Sequence, residues 1–111
     1  MTGNPAYLAL IRADLANAGQ PEPMVTKMFG GRAVMLGPHM VASVHEDHVL
    51  YRCGKLGQET ALSLPGVSPM AMGERVMSGY VRASAQAVEA AAVRDALLRL
   101  ALAEVARLQP R

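Results

Sequence analysis

Tryptophan is absent and Phe29 is the only phenylalanine. Aromatics make up 4% of the 111 positions, so a core of large rigid rings is excluded. Ala, Val, Leu and eight methionines must fill the interior instead. Cys53 is the only cysteine, which excludes an intrachain disulfide and leaves secretion without support. Charge is sparse at 18%, and eleven Lys and Arg against nine Asp and Glu leave +2. The basic residues are scattered singly, so no basic block marks a nucleic-acid footprint. No apolar run reaches about 18 residues without a charge, which argues against a membrane span. Met1-Thr2-Gly3-Asn4-Pro5 lacks the basic start and apolar stretch of a signal peptide. A cytoplasmic location is the expectation.

What is present is apolar and ordered. Hydrophobic residues reach 51%, too many for a disordered chain, and the length suits one domain over residues 1–111. Asn4-Pro5 opens a helix, because Asn caps free amides and Pro suits the first helical position. Tyr7, Leu8, Ile11, Leu15 and Ala18 recur at helical spacing, and Gly19 stops the run. Gln20-Pro21-Glu22-Pro23 cannot continue it.

Four short strands are predicted next: Val25 to Phe29, Arg32 to Leu36, Met40 to His45, and His48 to Cys53. Their short turns imply antiparallel hairpins, since parallel strands need long crossovers. Alternation places Met40, Ala42 and Val44 on one side, with Val41, Ser43 and His45 on the other. It also places Val49, Tyr51 and Cys53 together, opposite Leu50 and Arg52. Gly54 to Leu64 reads as a short helix with Gly57 inside it. Met70 to Met72 and Val76 to Ala83 read as two strands turning at Gly73-Glu74. Ser84 caps a final helix from about Ala85 to Leu108, with Asp95 and Arg99 spaced to pair. The expected fold class is α+β, in the order α-β-β-β-β-α-β-β-α. It has two layers, an antiparallel sheet with helices on one face. The opposite sheet face is open to a second copy of the chain.

Several constellations invite a chemical reading. Gly30-Gly31 serves most simply as a tight turn, with Met28 and Phe29 packed beside it. No G-x-G-x-x-G or G-K-[ST] extends it into a phosphate loop. His39, His45, His48 and Cys53 carry zinc-ligand chemistry, yet no C-x-x-C or H-E-x-x-H spacing joins them. Cys53 with a histidine and Asp47 would make a nucleophilic set, but the thiol is expected in the core, where it is inert. Arg32, Arg52, Arg75 and Arg82 would bind an acidic partner or phosphate if they shared a face. Tyr51 and Tyr80 suit a groove rim or the edge of a core. Met24, Met28, Met35, Met40, Met70, Met72 and Met77 gather in the β half, where they fill the core or form an adaptable binding surface.

Lys27-Met28-Phe29-Gly30-Gly31, after a helix and a proline-broken loop, resembles the start of the TfoX/Sxy N-terminal domain. The resemblance continues in order through Met40-Val41-Ala42, Leu50-Tyr51-Arg52, Pro69-Met70 and Met77-Ser78-Gly79-Tyr80. With the final helix it covers roughly residues 5 to 108. It implies a two-layer α/β domain with an antiparallel sheet, similar to secretion-chaperone folds and often dimeric. The family's competence regulators add a C-terminal helical module for nucleic acid, which these residues do not resemble. The resemblance brings no catalytic residue. The expectation is a stand-alone, non-enzymatic regulatory domain that acts through protein contacts as a homodimer. It has no cofactor, metal or membrane partner, and direct nucleic-acid binding is not expected. The alternative is a small-ligand or catalytic domain with a pocket near Phe29, His39 and Cys53.

Overall fold

The computed structural model describes residues 3–28, 30–72 and 74–108, and within these the side chains of all but Met28 and Met72. The element order is α1 (Pro5–Asn17), β1 (Met24–Met28), β2 (Gly31–Leu36), β3 (His39–Val44), β4 (His48–Arg52), α2 (Gly54–Leu62), β5 (Val67–Met72), β6 (Arg75–Ser84), α3 (Ala85–Glu89) and α4 (Ala91–Leu108). The strands form one antiparallel sheet in the order β1-β2-β3-β4-β6-β5. The chain is therefore α+β, with all its helices in one layer against that sheet.

Period-two alternation builds the layers. Val34, Ala42, Tyr51 and Val81 are register partners across four strands, and all lie in the main core. Val44, Val49 and Ala83 form a second such row. Ile11 and Leu15 of α1 and Leu97, Leu98, Ala101 and Val105 of α4 cover them. Each fully buried Val or Leu contributes roughly 1.5–3 kcal/mol, so these rows fix which side of the sheet the helices take. Asn4 caps α1 as its sequence position predicts: its Oδ1 accepts from the Ala6 and Tyr7 amides at 2.9 and 3.4 Å. The Asn4 amide also donates to the His45 carbonyl at 3.1 Å, tying the helix start to the β3–β4 turn.

The structure departs from the sequence reading at several places, among them Ser84, which sits at the start of α3 but makes no side-chain capping bond. The C-terminal helix is two helices, not one, because Ala90 is extended at φ −94°, ψ 108°. Arg94 Nη1 donates to the Val88 carbonyl at 2.8 Å and satisfies the end of α3. A bulge between Val34 and Met35 upsets the alternation of β3. Val41 joins Ala42 and Val44 in the core, while Met40 pairs with Met35 outside it. The fifth strand begins at Val67 and includes Pro69. That position is allowed because β5 is a sheet edge, where a missing N–H breaks no ladder. Finally, α2 ends at Leu62, with Ser63 as its C-cap. Gly57, inside α2, is buried against Leu100; a Cβ there would sit 3.2 Å from Leu100 Cδ2. It is a packing glycine that lets α2 and α4 approach closely.

Candidate functional site

Among the described residues, no helix is packed on the other side of the sheet as α1 and α4 are on the first. One row of register partners crosses all six strands there: Thr26, Ala33, Ser43, Leu50, Arg82 and Ser68. Beside it runs Met24, Met35 and Met40. Ala33, Ser43, Leu50 and Met40 are buried, although no helix covers them. Met24 stands 69% exposed at the β1 edge. The result is an apolar row whose exposed end is Met24 on β1, with Arg82 beyond Leu50 on β6.

One end of this face is a polar cluster at the β3–β4 turn. His45 and His48 flank the turn and stack in parallel, with centroids 4.5 Å apart and planes within 2°. Ser43 Oγ shares a 3.0 Å hydrogen bond with His45 Nε2, and His48 Nδ1 donates to Asp47 Oδ1 at 2.6 Å. Arg82 Nη2 lies 3.9 Å from Asp47 Oδ2. Burial, followed by the neighbouring His48, lowers the His45 pKa from 6.5. The His48 hydrogen bond lowers that of Asp47. Nothing in the chain pattern singled out this stack; only the two-residue turn placing His45 opposite His48 creates it. At the other end Arg52 lies opposite Tyr80, its guanidinium carbon 6.0 Å from the ring centroid.

The residues singled out in the sequence do not all converge. Arg52 and Arg82 share the helix-free side. Arg32 lies in the row of Val44 and Val49, on the helix side, and Arg75 is exposed at the start of β6. The register therefore sets Arg32 on the opposite side of the sheet from Arg52 and Arg82, so the four do not share one face. His39 pairs with Leu36 at one end of β3, while His45 follows its other end. Cys53 is buried on the helix side, so these groups do not assemble. Among the described residues, no group of three or more His, Cys, Asp or Glu is placed to hold a metal. Phe29 lies outside the described residues. Gly31 opens β2 at the end away from His39, so His39 and the Gly30-Gly31 turn lie at opposite ends of that strand. Burial raises the Cys53 pKa, and Sγ donates to the Gly79 carbonyl at 3.6 Å, which favours the thiol over the thiolate.

The motif residues have structural work. Gly30 has φ +74° in the β1–β2 turn. A Cβ on Gly31 would strike the Val44 carbonyl and the His45 ring. Lys27 is exposed on edge strand β1; Pro69 is exposed on β5, with Met70 half-buried in a bulge beside it. The Met28 side chain lies outside the described ones. Gly79 is buried at φ +87°, and its amide donates to Gln58 Oε1 at 2.9 Å. Among the described residues no helix is long and apolar enough to cross a membrane.

The architecture defines a two-layer α+β domain with helices on one side of its sheet. The TfoX N-terminal domain model matches residues 18–105, most of the chain. The chain belongs to the TfoX N-terminal domain family. No curated relative and no solved structure matches it.

Proposed function

We propose that this chain is a non-enzymatic regulatory domain of the cytoplasm that acts through protein contacts and pairs with a second copy of itself. The observation that carries the reading is the helix-free sheet face, where Met24, Met35, Met40 and Leu50 form an apolar strip around Ala33 and Ser43. Methionine suits such a surface because it packs adaptably. Arg82 on β6 and Arg52 on β4 border the strip next to Leu50, where they set orientation more than affinity. Competence-related regulation is the process that family membership favours. Sedimentation equilibrium at micromolar concentration tests the reading: the wild-type chain is a dimer. Met35→Glu, which puts a charge on the strip without touching the core, weakens the dimer at least tenfold. A wild-type chain that stays monomeric throughout overturns it.

A further inference from the structure

A cleft of about 230 Å³ opens where β4, α2, β6 and α4 meet, lined by Arg52, Lys55, Ser78, Tyr80, Glu104 and Arg107. Its three cations come from three different elements, and one carboxylate opposes them. The cleft thus holds a formal +2, as much as the net charge of the whole chain. Glu104 is already engaged: Arg107 Nε and Nη2 both donate to its Oε1, at 3.1 and 2.7 Å. Arg52 rests over the Tyr80 ring, and neither Arg52 nor Lys55 forms an ion pair among the described residues. Two uncompensated cations therefore face one small space that also holds a serine and a tyrosine hydroxyl.

We infer that this cleft binds a phosphate group, with Arg52 and Lys55 as its charge partners and Tyr80 as a hydrogen-bond donor, joined by Ser78 once its hydroxyl turns from Gln58 Oε1, to which it donates at 3.5 Å. A dianion matches the two free cations, and a guanidinium fork suits phosphate oxygens. The volume lies below the roughly 300–1,000 Å³ of a pocket for a drug-sized ligand. The cleft thus admits free phosphate or the phosphate of a small monoester, not a large cofactor. The start of α2 is not the site, because the Glu104 carboxylate already lies against Gly54 there. Glu104 instead competes with the ligand: it occupies Arg107 and repels an incoming anion. The inference does not rest on self-association, although Arg52 is common to the cleft and to the rim of the sheet strip.

The test is a titration of the full chain with inorganic phosphate at low ionic strength and pH 7, followed by amide ¹H–¹⁵N spectra. Sodium chloride at matched ionic strength is the blank, and glycerol phosphate forms a second arm. Saturable shifts confined to Gly54, Lys55 and Ser78 to Tyr80 are expected. The double variant Arg52→Gln/Lys55→Gln binds at least tenfold more weakly. Glu104→Gln, which releases Arg107, binds at least threefold more tightly. Tighter binding of glycerol phosphate than of phosphate assigns the site to a monoester; the reverse assigns it to the free ion. Shifts that never saturate, or equal affinity in the double variant, overturn the inference. Because Arg52 and Lys55 are outside the core, the unshifted remainder of each spectrum verifies folding. A monomer that binds phosphate overturns the self-association reading alone.

Discussion

Arg94 of α4 holds Asp14 of α1 through a 2.9 Å bond from Nε to Oδ2, while its Nη1 holds the Val88 carbonyl at the end of α3. One guanidinium thus joins three helices, and the pair is largely shielded, at 11% and 21% side-chain exposure. Asp14→Ala leaves a shielded cation with one partner fewer. The expected cost is about 2–3 kcal/mol in urea unfolding. A cycle with Arg94→Met should return clear coupling, since the two groups share one bond. The exposed Asp95–Arg99 pair at 3.0 Å is the control, and breaking it should cost at most about 0.5 kcal/mol.

Tyr51 supplies the opposite case. It is among the largest fully buried side chains, and its hydroxyl has no hydrogen-bond partner among the described residues. Burial pushes its pKa upward. Tyr51→Phe removes an unsatisfied polar atom and keeps the ring. Stability should stay level or rise by about 1 kcal/mol, whereas Tyr51→Ala should cost about 3–5 kcal/mol. Paired urea titrations of the two variants check this.

Gly54 opens α2 at φ +76°, and a Cβ there would overlap the Glu104 carboxylate. Gly54→Ala therefore meets both backbone strain and a clash, at an expected cost of about 2 kcal/mol or more. Adding Glu104→Ala should recover part of that loss. The remainder is the backbone contribution, readable from the non-additivity in thermal unfolding.

His45 gives stability a pH dependence with a definite sign. Its folded pKa lies below 6.5, so the unfolded chain takes up the proton first as pH falls. Stability contributed by neutral His45 is full above that value. It declines as pH drops from about 6.5 to the folded pKa. Urea unfolding at pH 8, 6.5 and 5.5 should show the decline, and His45→Gln should flatten it.

Local signals were legible where one rule decided the outcome. The Asn4 cap needed only Asn-Pro, and the burial of Val49, Tyr51 and Cys53 together needed only alternation. The fold class followed from the spacing of apolar runs and turns. What escaped depended on distant partners. The alanine-rich stretch favours continuous helix, yet Ala90 breaks it, so that α3 packs on β6 while α4 crosses β3 and β4. The β3 bulge moved Val41 to the core because its register is set by β2. Arg52 and Tyr80 stood out as residues, but their stacking needed the β4–β6 register. Lys55, Glu104 and Arg107 carried no local signal at all, since the cleft draws them from α2 and α4.

Self-association through the bare sheet face is tested most directly by methyl spectroscopy of a mixed sample. One half carries ¹³C-labelled methionine methyls and the other half is unlabelled. Intermolecular contacts from Met24, Met35 and Met40 to the partner's sheet residues are the predicted result. Contacts arising instead at Leu56, which is 81% exposed on α2, or no intermolecular contacts at all, would contradict it.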